Sequence, residues 1–163
     1  MHVFVYATAI YASLGLDEKA MVRYGLGALL HDIGKARIDK ALLNKPGKLS
    51  EEEWTHMRLH PVHGAAMCAA MPLSGDTLNC IILHHERFDG SGYPSGLQGE
   101  AIPLPVRVVT VCDVYDALTS DRPYASAVAP FEALSIMREQ MSGHFDKDIF
   151  RRLVLALSGA KIV

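Results

Sequence analysis

The chain has 163 residues, half of them hydrophobic and 21% charged, with a formal net charge of −2 at pH 7. This is the size and composition of one globular domain that buries a core without disulfides, and it excludes extensive disorder. The near-neutral balance also argues against a face that tracks a duplex nucleic-acid backbone, so an anionic ligand has to be gripped locally.

Apolar residues recur at helical spacing almost throughout, and no Asn-Gly or Asp-Gly hairpin separates alternating runs, which predicts an all-α fold. Met1 and His2 lead straight into an apolar helical pattern without a cap. The expectation is a single domain over 1–163 cut from a longer protein, lacking its own N-terminal start and an upstream regulatory domain. A first helix is expected from about Val3 to Leu14, ended by Gly15, and a second, capped by Asp17, running to about His31.

A short turn over Asp39 to Leu43 precedes the loop Lys45-Pro46-Gly47-Lys48. Ser50 and Glu53 form a capping box that starts a helix ending near His60, and Pro61 begins the next. Ser74 opens a helix that closes on the pair His84-His85. Residues 86–102 form the longest loop, with Gly90, Gly92 and Pro94, and such loops in compact domains are usually functional. Helices follow from about Pro105 to Leu118, Pro130 to Met141 and Lys147 to Leu157. No apolar run approaches the roughly 20 residues of a membrane-spanning helix. Cys68, Cys80 and Cys112 lie far apart in apolar surroundings, which predicts core thiols and a reducing compartment.

The chemistry concentrates in His31, Asp32, His60, His84, His85 and Asp113, each expected at or near a boundary between an apolar helix and a polar loop. Imidazole nitrogens mixed with carboxylate oxygens suit Fe, Mn or Zn, whereas calcium and magnesium take mostly oxygen. Six such groups exceed what one four-coordinate ion requires and point to two ions, with Asp32 able to bridge them. Adjacent helical residues differ in direction by about 100°, so His84 and His85 address different partners. His2, His56, His63 and His144 have no comparable company and read as surface or interhelical residues.

HDIGK at 31–35, LLNKPGKLSEEE at 42–53, His60, HHERFDGSGYP at 84–94 and DVYDALTSDRPY at 113–124 resemble, in order and spacing, the HD-GYP family of the HD phosphohydrolases. The resemblance implies an HD-type helical bundle of about seven helices around a centre of two or three divalent metal ions, Fe or Mn foremost and Zn next. It implies a phosphodiesterase that hydrolyses cyclic di-GMP to pGpG and onward to GMP, as a signalling output domain in the bacterial cytoplasm. A homodimer or a GGDEF-type or other signalling protein is the implied protein partner, with no membrane association of this segment.

Residue by residue, the resemblance makes His31, Asp32, His60, His84, His85 and Asp113 metal ligands. Asp32 and Lys35 become catalytic, and Lys35, Gly90, Gly92, Tyr93 and Arg122 face the substrate. Asp116, one helical turn from Asp113, is expected to orient a ligand or cap a loop. The family's further ligand histidine would fall about one residue before Met1, with His2 three residues out of register. Ala125 stands where the family usually has Lys or Arg. These departures keep open a weak or inactive module that binds cyclic di-GMP or docks a protein, and a nucleotide phosphohydrolase of the wider HD group shares the metal ligands without accounting for HHERFDGSGYP.

Overall fold

The computed structural model describes residues 2–121 and 126–159, and among these every regular element is helical. The helices are α1 (His2–Ser13), α2 (Glu18–Leu30), α3 (Lys40–Leu43), α4 (Glu51–Met57), α5 (His60–Cys68), α6 (Gly75–Leu83), α7 (Leu104–Thr119), α8 (Pro130–Gln140) and α9 (Lys147–Leu157). Short 3-10 turns lie at Ile33–Arg37 and Gly99–Ala101.

Local chemistry sets most boundaries. Asp17 accepts from the Ala20 amide and starts α2, Asp39 accepts from Ala41 before α3, and Asp146 accepts from Asp148 and Ile149 before α9. Ser50 and Glu53 close the reciprocal capping box at α4. Gly15 follows α1 with a φ of 69°, the left-handed conformation that ends helices and is free of steric cost only for glycine.

α7 is the axis of the domain. Val106, Val108, Val109, Val111, Cys112 and Tyr115 are all buried, so the helix is covered around most of its circumference. α1 packs on α2, α7 and α9, and α6 bridges α2, α5 and α7. Burying a side chain such as Ile10 or Ile81 contributes roughly 1.5–3 kcal/mol, and both are fully buried. The three cysteines are buried and unpaired. Among the described residues no helix is long and apolar enough to cross a membrane.

Two details differ from the sequence expectation. The helix before Pro61 ends at Met57, and His60 instead opens α5 with Pro61 directly behind it. Asp113 sits in the interior of α7, whose bounds agree with the expected helix, rather than at the helix–loop boundary expected for the six groups. The α-helix of α2 does not continue through Gly34. It tightens into the 3-10 turn, whose geometry brings residues three apart onto one face.

Candidate metal centre

Five of the six His and Asp groups arrive at the ends of three helices. His31 caps the C-terminus of α2, and Asp32 begins the 3-10 turn. His60 opens α5, and His84 caps α6 with His85 next in line. Asp113 comes from the side of α7. Close backbone approach brings these segments together. A Cβ on Gly34 would collide with the His60 carbonyl and the Gly64 amide, so the turn after Asp32 lies directly on α5. A Cβ on Gly27 would meet the Cys80 side chain at 2.8 Å, which seats α2 against α6.

Three of the histidines are oriented by backbone carbonyls three residues earlier in the chain. The Nδ1 atoms of His31 and His60 lie 2.8 Å from the carbonyls of Ala28 and Met57, and that of His84 lies 3.0 Å from the Ile81 carbonyl. A carbonyl only accepts, so each Nδ1 carries the proton and donates. In a neutral ring the Nε2 is then left with a lone pair. The Nε2 atoms converge: His60 Nε2 is 3.2 Å from His84 Nε2 and 3.1 Å from His85 Nε2.

The carboxylate of Asp32 stands between two groups of donors. Its Oδ1 is 3.4 Å from His60 Nε2 and 3.7 Å from His84 Nε2, and its Oδ2 is 3.4 Å from His31 Nε2. Asp113 Oδ1 is 3.7 Å from His31 Nε2. His60, His84 and His85 form one triad and His31, Asp32 and Asp113 another, with donor atoms in each within 4.8 Å of one another. Both triads could hold a metal ion. His31 Nε2 and Asp32 Oδ1 are buried without a hydrogen-bond partner, an expensive state that a cation between them would relieve.

The protonation states follow from burial and charge. Burial holds His60 down to about 4, and it holds His85 down to about 2 with the His84 ring adding to the effect, so both stay neutral. Burial also opposes charge on His31, but Asp113 and Asp32 outweigh it and raise its pKa to about 10, so its Nε2 holds a proton toward the two carboxylates until a cation displaces it. For Asp32, burial acts upward and is outweighed by His31, His84 and Lys35, so its carboxyl falls well below the ordinary range. Asp113 is lowered in the same way, mainly through His31. The site is therefore anionic at its middle and lined by neutral donors on one side.

Lys35 Nζ lies 2.6 Å from Asp32 Oδ2, which places the ammonium beside the triads. Tyr93 stacks on the His85 ring with centroids 4.8 Å apart, and burial raises its hydroxyl pKa so that it remains protonated. Gly92 runs against the backbone of His85, Glu86 and Arg87, where a Cβ would collide, and Gly90 turns at a φ of 83°. The Tyr93-Pro94 peptide is cis. Arg122 and Ala125 lie outside the described residues. His2 is 70% exposed and pairs with Asp116 at 3.0 Å, apart from both triads. Asp116 also accepts from the Ser120 hydroxyl near the end of α7.

Two residues with clear roles in this geometry escaped the sequence reading. Glu86, 1% exposed, accepts from the Ser95 amide at 2.6 Å and the Leu97 amide at 3.0 Å, tying the long loop to the segment that carries His84 and His85. The available signal was an acid directly after two histidines, at the head of a glycine-rich loop. Thr110 on α7 reinforces it by donating to the His84 carbonyl at 2.9 Å.

The profile of the HD domain family matches residues 3–149. The chain is 45% identical over 150 residues to a cyclic di-GMP phosphodiesterase of Pseudomonas aeruginosa, covering 91% of this chain and 36% of that protein. It is 36% identical over 156 residues to 3'3'-cGAMP-specific phosphodiesterase 3 of Vibrio cholerae, covering 96% of this chain and 34% of that protein. It thus spans about a third of the length of these curated relatives. Among solved structures, an HDG"Y"P protein from Bdellovibrio bacteriovorus shares the fold, with a TM-score of 0.80 and 24% identity over 97% of this chain and 51% of that one. The chain belongs to the HD domain family, in its HD-GYP branch.

Proposed function

We propose that this chain is a metal-dependent phosphodiesterase that opens cyclic di-GMP to the linear dinucleotide pGpG and then releases GMP. The observation that carries the reading is the pair of donor triads that meet at Asp32, with the Nε2 atoms of His60 and His84 facing each other at 3.2 Å. Two curated relatives support the substrate class, since their names specify cyclic di-GMP and 3'3'-cGAMP.

Divalent ions, Fe or Mn in preference to Zn, would supply Lewis acidity to the phosphodiester and lower the pKa of an attacking water. His60, His84 and His85 would hold one ion and His31, Asp32 and Asp113 the other. The residues around them do the rest. Lys35, held by Asp32, sits where an ammonium steadies the phosphoryl charge and delivers a proton to the departing 3′ oxygen. Tyr93 covers the outer face of His85 and offers a protonated hydroxyl to the substrate. Gly90 and Gly92 let the loop backbone approach the ligand, and Arg122 supplies a planar fork for a phosphate. Three buried thiols suit a reducing compartment such as the bacterial cytoplasm.

The test is the double replacement His31→Ala with Asp32→Ala, assayed with Mn or Fe supplied. Loss of both bound metal and cyclic di-GMP hydrolysis is expected, and turnover retained by the variant refutes the assignment. Tight nucleotide binding by the unaltered chain without any turnover would instead identify a receptor.

A further inference from the structure

Arg58 sits at the C-terminal end of α4, two residues before His60, and its side chain extends over the long loop. Its guanidinium carbon lies 5.5 Å from the centroid of the Tyr93 ring and 5.9 Å from that of Trp54. Tyr93 in turn stacks on His85, so a ladder of His85, Tyr93, Arg58 and Trp54 leads outward from the donor triads. Contacts of this kind hold the cation near the rings by charge and occupy none of its N–H donors. Among the described residues those edges meet no carboxylate and make no hydrogen bond. Lys35, by contrast, is already paired with Asp32.

A cyclic dinucleotide carries two phosphodiesters, and the triads with Lys35 address one. The other is an anion held in the same ring, a short distance away, and it needs a cation placed off the centre. We infer that Arg58 binds the phosphodiester that is not being cleaved and thereby selects cyclic dinucleotides over simple diesters. The inference rests on the proposed hydrolysis and adds a specificity-determining residue to it. The Trp54 and Tyr93 rings attract the guanidinium toward the loop, which favours conformations that reach the ligand.

The test compares cyclic di-GMP with bis(p-nitrophenyl) phosphate, which has one phosphodiester and no second anion, using the Mn-loaded chain. In Arg58→Ala the ratio of kcat/KM for cyclic di-GMP to that for the small diester falls about tenfold, through KM, as expected for one charge-assisted hydrogen bond at a partly exposed site. Arg58→Lys keeps the charge without the fork and falls less. Bound metal measured in both variants reports on folding of the centre. A ratio unchanged in Arg58→Ala overturns the inference alone, as does an equal loss on both substrates. An unaltered chain that cannot open cyclic di-GMP overturns the hydrolytic reading and this inference with it.

Discussion

His60 and His84 face each other through their Nε2 atoms at 3.2 Å, while the Nδ1 atom of each is spent on a backbone carbonyl one helical turn earlier. Both rings therefore point lone pairs at the same small volume, an arrangement that repels until a cation enters it. The first prediction follows directly. Adding Mn to metal-free protein raises Tm, because an ion that binds only the folded chain stabilises it by about 2.7 kcal/mol at a hundred times its dissociation constant. His84→Ala removes most of this shift and lowers bound metal in elemental analysis. A shift in His84→Ala as large as that of the unaltered chain would show that this triad is not where the ion binds.

Gly34→Ala tests how the two triads are brought together. The new methyl would strike the His60 carbonyl and the Gly64 amide, both backbone atoms that cannot rotate away. Overpacking of this kind costs about 1–3 kcal/mol, and it separates the segment bearing Asp32 from the start of α5. Chemical denaturation should show the loss of stability, with weakened metal binding beside it. Gly75→Ala, where a Cβ meets open space, serves as the comparison and should leave both measurements nearly unchanged.

How much of this was legible in the sequence depended on the range of the interaction involved. The helices of α2, α7 and α9 were readable because period and caps are local, and Asp17 and the Ser50-Glu53 box act within one turn. The six His and Asp groups stood out because their residue types are costly to cluster without a purpose. Glu86 did not, because its meaning lies in amides nine and eleven residues away, and by composition it is one more acid in a polar loop. Nothing in the sequence marked Arg58, since only the folded loop brings Tyr93 near it. Asp113 was misplaced to a helix end because carboxylates are rarely buried in the middle of an apolar helix unless partnered, and the partner, His31, comes from 82 positions earlier.

Glu86→Ala should loosen the loop over residues 87–98 without emptying the core. The substitution strands the Ser95 and Leu97 amides, and an unsatisfied buried donor costs about 1–3 kcal/mol. Limited proteolysis should then cut within 87–98 well before the rest of the chain, and the fluorescence of Trp54, coupled to the loop through Arg58 and Tyr93, should change with it. Glu86→Gln keeps one acceptor oxygen and should fall between the two. Equal resistance to protease in Glu86→Ala and the unaltered chain would mean that these two hydrogen bonds do not hold the loop.

The cysteines supply a test of the interior that is independent of any ligand. Cys68, Cys80 and Cys112 have no exposed surface, and burial pushes the Cys80 thiol up to about 12 and raises Cys112 further still. The reactive species is the thiolate, so both access and ionisation work against modification in the folded state. An aromatic disulfide reagent at pH 8 should label none of the three thiols in native protein within minutes and all three in denaturant. Because Cys80 packs on Gly27 between α2 and α6, its labelling rate in mild denaturant should report the separation of those helices, and with it the parting of His31 from His84. Fast labelling of any thiol in the native state would contradict the packing around α7.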